Sequence, residues 1–215
     1  MIIENYTKLA DGHWYQKTLT DSIPDYNVDY SAIYDTYFLT DELSKLRYDN
    51  IVQTIGEFNS ICDFGYGNGS FLNYCYSKNK KCFGYDISGY PLQQGIQQIN
   101  EQQLNSQEFD VLTFFDSIEH IQNSDLLSFL NNKKAQHFCI SVPWFHEQLG
   151  QDWFCNWKHR RENEHLHHFD SSGLIKLLVD CGCQIKYVGN YEDKIRVPVS
   201  NYPNILTVIA SKKYK

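Results

Sequence analysis

Long apolar runs are missing from this sequence of 215 residues. None of its runs approaches the roughly 18 residues that a membrane-spanning helix needs. The opening stretch, MIIENYTKLADGHWYQ, mixes acidic and polar residues with apolar ones, which is not typical of a targeting segment. We therefore expect a cytoplasmic protein without a membrane partner.

Basic residues are few relative to acidic ones. The chain has 19 lysines and arginines against 26 aspartates and glutamates, which gives a formal net charge of -7. Because the nucleic-acid backbone is itself negative, this balance argues against non-specific binding to it, although a local basic patch is compatible with the composition. Nucleic acid is therefore not an expected partner.

Grouped cysteines are also missing. Of the seven cysteines, Cys181 and Cys183 form a close pair, but no second close pair accompanies them to complete the four ligands of a structural zinc site. Several of the others lie inside apolar, strand-like runs. This pattern indicates reduced, buried thiols and no zinc site at this pair.

The chain has neither internal repeats nor low-complexity linkers, so one α/β domain with appendages is the simplest organisation. We divide it into an N-terminal arm and helical cap over residues 1–58 and a main domain over residues 59–215. Asp11 and Gly12 predict a hairpin turn within the arm. The apolar spacing from Tyr30 onwards predicts two helices before the main domain.

The most informative stretch is SICDFGYGNGSF at residues 60–71. A short apolar run carrying Asp63 reads as a buried strand, and three glycines at alternate positions follow it. Ser70 is then placed to cap a helix. A strand, a glycine loop and a helix in this order form a crevice for a nucleotide, because glycine lets the backbone approach a ligand and the helix N-terminus presents free N–H groups.

Two further predicted strands end in acidic residues. KCFGYD closes with Asp86, 23 residues after Asp63, which is close to the roughly 20-residue spacing of an acid that accepts hydrogen bonds from ribose hydroxyls. EFDVLTFFD closes with Asp116. Since the glycine pattern follows an acid, it suits a cationic cofactor better than a pyrophosphate, and a nicotinamide dinucleotide is the weaker alternative.

The remaining apolar patterns predict the rest of the fold. Residues 91–105 predict a glutamine-rich helix, and a second helix is expected to open at Ser117. Little room is left for a full third strand, so the sheet is expected to be short on that side. The closing strands QIKYVGNY and NILTVIAS form a hairpin-like pair that would leave the last strand antiparallel to the others.

Residues 144–170, WFHEQLGQDWFCNWKHRRENEHLHHFD, interleave three tryptophans with histidines and a basic run. We interpret this insert as the wall of an acceptor site, in which the indole rings meet a flat or apolar molecule and the arginines meet an anionic group. A solvated basic surface is the alternative for the run KHRR. The predicted acceptor-binding residues are Trp144, His146, Trp153, Trp157, Arg160 and Arg161.

The segments ICDFGYGNG, GYD, FDVLTFFDSIEHI, ISVPW and EHLHHFD resemble, in order and spacing, the motifs of class I S-adenosylmethionine-dependent methyltransferases, especially the small-molecule branch that includes ubiquinone methyltransferases. The resemblance covers about residues 60–212. It implies a Rossmann-like α/β fold with seven strands, mostly parallel, the last one antiparallel, and helices on both faces. It also implies S-adenosylmethionine as the cofactor and O- or N-methylation of a small-molecule or carrier-attached acceptor.

The resemblance assigns the cofactor site residue by residue. The first motif would surround the methionine moiety, the acid of the second strand would hold the ribose, and the end of the fourth strand would lie near the sulfonium. The adenine contact has no clear match and is sought between Asn100 and Phe109. Arg47, with Tyr34, could reach back to a ligand carboxylate. The predicted cofactor-binding residues are Asp63, Gly65, Tyr66, Gly67, Asp86, Ile87, Asp116, Ser117 and Arg47.

Three histidines are candidates for the catalytic groups. His120 follows Asp116 closely enough to serve as a general base, and His165 and His168 are placed as hydrogen-bonding groups of the acceptor site. No metal ligand is predicted, although Glu119 beside His120 leaves a divalent metal open. A non-catalytic module that uses the same fold to bind a protein or nucleic-acid partner is the alternative to an enzyme.

Overall fold

The computed structural model of the protein describes residues 4–32, 35, 39–198 and 201–213. The strands of this part of the chain are β1 (Tyr6–Ala10), β2 (His13–Gln16), β3 (Ser60–Phe64), β4 (Lys81–Tyr85), β5 (Gln97–Gln98), β6 (Glu108–Phe115), β7 (Lys134–Pro143), β8 (His167–Phe169), β9 (Cys183–Gly189) and β10 (Ile205–Lys212).

The α-helices of the described residues are α1 (Val28–Ala32), α2 (Thr40–Ile55), α3 (Ser70–Ser77), α4 (Glu101–Ser106), α5 (Leu126–Asn131), α6 (Gly150–Asn156) and α7 (Ser171–Asp180). Single turns of 3-10 helix cover Ile118–His120, Glu147–Leu149 and Tyr191–Lys194. Among the described helices, none has the length and apolar character needed to cross a membrane.

A seven-stranded sheet in the order β5-β4-β3-β6-β7-β10-β9 organises the fold. The pairs from β5 to β7 are parallel, whereas β10 runs antiparallel to both β7 and β9. The prediction of a Rossmann-like, mostly parallel sheet with an antiparallel last strand is confirmed. The shortened side is confirmed as well, because β5 has two residues.

Alternate residues of the central strands face opposite layers of helices. Ile61 and Val111 belong to the cluster that packs on α2 and α3, and Cys62 and Leu112 belong to the cluster on α5 and α7. All four side chains are fully buried. A strand covered on both faces reads as a continuous apolar run, which is why β3 and β6 were recognisable in the sequence.

Two helix predictions are wrong in their bounds. The helix predicted over residues 91–105 begins at Glu101, because Gly95 has a φ of +98° and Asn100 forms a capping box with Gln103. In α3, Gly69 occupies the N-cap position that was predicted for Ser70. The hydroxyl of Ser70 instead donates to Asn68.

The prediction that a helix begins at Ser117 is also wrong. Only one turn, Ile118–His120, forms there, and α5 starts after a break. Its N-cap is Asp125, whose carboxylate accepts from the backbone N–H of Ser128. The backbone of Asp125, with a φ of -89° and a ψ of 69°, is not helical, as is usual for an N-cap residue, so the two apolar segments do not join into one helix.

A second, three-stranded sheet connects the N-terminal arm to the insert. The hairpin predicted at Asp11 and Gly12 is confirmed, since β1 and β2 pair antiparallel across it. Strand β8, from the end of the insert, adds to β2 in antiparallel register. The sequence did not predict this pairing, which fixes one end of the insert. The predicted division at residue 58 stays a prediction.

Gly173 lies where helix α7 touches the hairpin turn. A methyl group on its Cα would stand 2.2 Å from the carbonyl oxygen of Gly12 and 2.9 Å from the amide nitrogen of His13. These are backbone atoms, so the contact cannot be relieved by a side-chain rotation.

We expect Gly173→Ala to destabilise the protein by about 1–3 kcal/mol, as overpacking does, although Gly→Ala inside a helix ordinarily stabilises it by up to about 1 kcal/mol. Urea denaturation measures the difference. Val179→Ala on the exposed face of the same helix serves as the control and should change little. A Gly173→Ala variant as stable as the parent would show that the hairpin does not pack tightly on α7.

Candidate active site

The carboxyl ends of the parallel strands β3, β4 and β6 meet at one edge of the sheet. Three of the predicted residues lie there: Gly65 directly after β3, Asp86 after β4 and Asp116 after β6. Open α/β sheets bind ligands in the crevice outside this edge. The fold therefore brings the separate sequence motifs into one cleft.

The glycine loop packs closely against Ser117, just after β6, and donates a hydrogen bond to Asp86, just after β4. Gly65 has a φ of +75°, and a Cβ there would lie 2.6 Å from Cβ of Ser117, so only glycine allows this approach. Gly67, at a φ of +56°, donates its backbone N–H to Asp86 Oδ2 at 2.9 Å. The backbone N–H of Ser88 donates to Asp86 Oδ1 at 2.7 Å.

Tyr66 and Ile87 lie next to the glycine loop and Asp86. Tyr66 is buried and donates its hydroxyl to the carbonyl oxygen of Tyr90 at 2.7 Å. Ile87, next to Asp86, is 70% exposed. A single exposed aliphatic side chain is ordinary on a protein surface, so the position of Ile87 next to Asp86, and not its exposure, makes it a candidate ligand contact.

Asp63 is inside the sheet rather than in the open cleft. Its side chain is 3% exposed, and the hydroxyl of Thr113 donates to Asp63 Oδ1 at 2.6 Å. Burial raises the pKa of this carboxyl to about 7, although Thr113 and Arg47 act in the opposite direction. Near neutral pH the residue thus exchanges between neutral and charged forms.

The raised pKa makes a prediction about stability. Between pH 4 and 7 the folded protein keeps a proton on Asp63 that the unfolded chain releases, so this group's contribution to stability is present at low pH and is lost as pH rises through about 7. Asp63→Asn keeps an acceptor for Thr113 and removes the titration.

We expect Asp63→Asn to remove a decline in unfolding free energy that approaches about 1.4 kcal/mol per pH unit over that window. Urea denaturation of parent and variant at several pH values between 4 and 8 measures it. Asp152→Asn, at an exposed position, is the control. Parallel stability curves for the parent and Asp63→Asn would contradict the assignment.

A network of ion pairs surrounds Asp116, whose own side chain is 33% exposed. Arg196 donates to both of its carboxylate oxygens, at 3.0 and 2.7 Å, and Arg47 donates to Oδ2 at 3.2 Å. Glu192, fully buried, accepts from both arginines. Burial opposes ionisation of Asp116, but Arg196 and Arg47 outweigh it and lower its pKa to about 2.

Glu192 and Arg196 were missed in the sequence. They lie four residues apart before β10, a spacing that is compatible with an ion pair but does not indicate a buried one. Arg47 was predicted to contact a ligand carboxylate, and in this structure it is held by two carboxylates of the protein. Its predicted role stays a prediction, and Tyr34 lies outside the described residues.

His120, the candidate base, lies next to His165, the candidate hydrogen-bonding group of the acceptor site. Their rings meet edge to face with centroids 4.7 Å apart. His120 Nδ1 is 2.9 Å from the hydroxyl of Tyr26, in the N-terminal arm. Burial lowers the pKa of His120, and it lowers that of His165 to about 2. Both imidazoles are therefore neutral at pH 7, but a pKa of about 2 makes His165 too weak a base to hold a proton there, which leaves His120 as the better candidate.

His168, the third candidate, is inside an aromatic cluster. Its ring contacts the rings of Tyr6, Phe145, Phe154 and Trp157 at centroid distances of 5.0–6.2 Å. It is 2% exposed, and burial lowers its pKa to about 3. The structure thus surrounds His168 with packing contacts.

The aromatic side chains of the insert stack on one another. Trp153 and Trp157 stack at a centroid distance of 5.1 Å, and Trp144 stacks on His146 at 5.5 Å. His146 Nε2 donates to the carbonyl oxygen of Pro203 at 2.9 Å. Trp144, Trp153 and Trp157 remain partly exposed, so they form a wall with free surface.

The arginines of the insert have acidic neighbours. Arg160 pairs with Glu162, and Arg161 Nη1 lies 2.8 Å from Glu164 Oε1. The basic run therefore carries less uncompensated charge than its sequence indicates. An anionic ligand would have to compete with these carboxylates.

The cleft and the sheet order define a class of protein, the Rossmann-like methyltransferases. A protein-family model described as a methyltransferase domain matches residues 32–188. The chain belongs to this family. None of the curated protein sequences compared with the chain matches it.

Solved structures support the same fold at low sequence identity. An S-adenosylmethionine-dependent methyltransferase from Clostridium acetobutylicum has a TM-score of 0.61 and 13% identity, over 86% of this chain and 98% of that one. The plantazolicin methyltransferase BpumL, in complex with a triazolic desmethylPZN analog and SAH, has a TM-score of 0.59 and 15% identity, over 86% of this chain and 89% of that one. The 16S rRNA methylase ArmA has a TM-score of 0.55 and 19% identity, over 86% and 90%.

As a member of this family the protein is a methyltransferase, and S-adenosylmethionine is its cofactor. The residues present fit that group. The glycine loop brings backbone without a Cβ close to Ser117, and Asp86 presents carboxylate oxygens beside the loop. The similar structures include a plantazolicin methyltransferase and a 16S rRNA methylase, so they do not define the acceptor of this protein.

Proposed function

We propose that the protein transfers the methyl group of S-adenosylmethionine to an oxygen or nitrogen of a small-molecule or carrier-attached acceptor, within the branch that includes ubiquinone methyltransferases. The observation that supports this most directly is the meeting of the glycine loop, Asp86 and Asp116 at one edge of the sheet. The cofactor supplies an activated methyl group on a sulfonium. The protein has to bind and orient the cofactor and the acceptor, and it has to remove a proton from the acceptor.

In this proposal the cofactor lies across the ends of β3, β4 and β6. Gly65, Tyr66 and Gly67 hold the methionine part, and Asp86 accepts from the ribose hydroxyls while Ile87 covers the base. Ser117 lies against the loop at Gly65. Asp116 is ionised at neutral pH and Asp63 is ionised in part, so these two acids favour a sulfonium over a neutral ligand.

Proton removal from the acceptor is assigned to His120. His120 is neutral at pH 7 because burial lowers its pKa, and a neutral imidazole is the form that accepts a proton. Tyr26, 2.9 Å from His120 Nδ1, orients the ring. His165 contacts His120 edge to face, and it is assigned a hydrogen-bonding role in the acceptor site, because its low pKa makes it a poor base. His168 would contribute by packing within the aromatic cluster of the insert.

The acceptor is assigned to the wall formed by the insert. Trp144, Trp153 and Trp157 keep exposed aromatic surface that suits a flat or apolar molecule. Arg160 and Arg161 would meet an anionic group of that molecule if it displaced their acidic neighbours. A net charge of -7 makes nucleic acid a poor acceptor in this proposal.

We include a cytoplasmic location in the proposal. The seven cysteines are all free, and six of them are buried. Free thiols persist where the environment is reducing.

Cofactor binding can be tested at Asp86. We expect Asp86→Asn to weaken S-adenosylmethionine binding about 10- to 100-fold, because a hydrogen bond to a charged group contributes about 1.5–3 kcal/mol. Isothermal titration calorimetry measures the affinity.

Asp110→Asn is the matched control, because Asp110 Oδ2 also accepts from two backbone N–H groups, of Asn59 and Ser60, but at the opposite end of the sheet. It should leave the affinity unchanged. An equal loss in both variants, or no binding by the parent at millimolar cofactor, would contradict the assigned site.

The acceptor class can be tested with labelled cofactor. We expect methyl transfer into the small-molecule or carrier-protein fraction of a cell extract and none into its RNA. Trp153→Ala, which removes half of the stacked tryptophan pair, should reduce the transfer without changing S-adenosylmethionine affinity. Label appearing in RNA alone would overturn the proposed acceptor and leave the cofactor site intact.

A further inference from the structure

The segment that carries His120 has little regular structure. Ile118–His120 form a single turn of 3-10 helix, and residues 121–125, between this turn and α5, belong to no helix or strand. A site built on such a segment is less precise than one built on a helix or strand, unless other elements hold its backbone. The position of the proposed base therefore depends on contacts from elsewhere in the fold.

The end of the insert binds the backbone on both sides of His120. The backbone N–H of Leu166, just before β8, donates to the carbonyl oxygen of Glu119 at 2.8 Å. The side chain of His167, the first residue of β8, donates from Nε2 to the carbonyl oxygen of Ile121 at 3.0 Å. His120 thus lies between two carbonyl groups that are bonded to consecutive residues of the insert.

The N-terminal hairpin adds two contacts to this arrangement, both from β2. The hydroxyl of Tyr15 donates to the carbonyl oxygen of Gln122 at 2.7 Å, across 107 positions of the chain. His13 Nε2 lies 2.9 Å from His167 Nδ1, across 154 positions. The hairpin therefore reaches the segment after the base directly, through Tyr15, and indirectly, through His167.

The carbonyl groups fix which nitrogens of the histidine pair carry protons. His167 Nε2 faces the carbonyl oxygens of Ile121 and Asn123, and because a carbonyl only accepts, this nitrogen carries the proton. Nδ1 of a neutral His167 is then the acceptor, and His13 Nε2 is the donor. Burial lowers the pKa of His167 to about 4 and that of His13 to about 3, so both rings are neutral at pH 7.

Packing locks both rings in place. His13 is 6% exposed and His167 is 1% exposed. His13 stacks on Phe169 at a centroid distance of 4.2 Å, and the ring of Tyr15 lies 4.7 Å from that of His167. Buried side chains that are fixed by packing and hydrogen bonds can hold a neighbouring site to within about 0.5 Å.

We propose that His13, Tyr15 and His167 are positioning residues for methyl transfer, which hold the backbone after His120 and so fix its imidazole against the acceptor. The inference rests on the function proposed above, in which His120 is the base. It assigns cofactor binding and base positioning to different sheets, because the cofactor cleft is formed by strands of the seven-stranded sheet and the hairpin belongs to the other one. Loss of the hairpin contacts should therefore spare cofactor binding and impair catalysis.

The test observes His120 itself, by NMR of the full chain with nitrogen-labelled histidine. His167→Phe keeps a ring and removes the donor to Ile121. We expect it to raise the pKa of His120 from its lowered value towards the ordinary one of about 6.5, because a loosened turn admits water to the buried ring. Methyl transfer into the acceptor fraction should fall at least about 10-fold, since a misplacement of about 1 Å can cost about 100-fold.

Two milder variants separate positioning from packing. His167→Gln restores an N–H donor in place of Nε2 and should recover most of the transfer and the low pKa of His120. Tyr15→Phe removes one hydroxyl from a partly exposed residue. It should raise the pKa of His120 and reduce transfer about fivefold, which corresponds to one ordinary hydrogen bond.

His137→Phe is the matched control, because this half-buried histidine on β7 also loses a side-chain hydrogen bond, to Ser211, on a different strand. It should leave the pKa of His120 and the transfer unchanged. Thermal unfolding identifies any variant that fails to fold. If His167→Phe does not fold, Tyr15→Phe decides.

An unchanged pKa of His120 in the deciding variant would overturn the inference, because a merely structural contact would lower Tm without moving that pKa. An equal change in His137→Phe, or a matching loss of S-adenosylmethionine affinity in the deciding variant, would overturn it as well. A parent that neither binds the cofactor nor transfers a methyl group contradicts the proposed function alone. The pKa of His120 still decides the positioning in that case.

Discussion

The cleft depends on how charge is balanced beneath the carboxyl ends of β3 and β6. Arg47 from α2 and Arg196 from the segment before β10 bring two guanidinium groups to Asp116 and Glu192. Taking an ion out of water costs several kcal/mol unless it is paired and hydrogen-bonded. Two cations with two anions meet that condition, so the network holds three distant segments together and supports Asp116 at its φ of +50°.

The other two buried carboxyl groups of this edge lack such compensation. Burial raises the pKa of Asp63 to about 7 and that of Glu119 well above its usual range, whereas the arginines lower that of Asp116 to about 2. Groups of one chemical type thus have different protonation states at one pH. Such differences in pKa distinguish carboxyl groups that keep a negative charge from carboxyl groups that exchange protons or bind ions.

The sequence predicted the strands of the cleft well because they are covered on both faces. Such strands are continuous apolar runs, and the glycine loop and Asp86 follow them at a characteristic spacing. The helices were predicted less well. Asn100 and Asp125 start α4 and α5 later than the apolar pattern indicated, since a capping side chain fixes where a helix begins whatever the periodicity before it.

By itself the sequence determined the sheet type, the glycine loop and the acids that end its strands, because these depend on neighbours close in the chain. Only the tertiary structure decided what each charged group faces. It paired Arg47 with Glu192, 145 residues away, joined β8 to the N-terminal hairpin, and brought His165 to Glu119 and His120. Contacts between such distant residues depend on packing that no local pattern encodes.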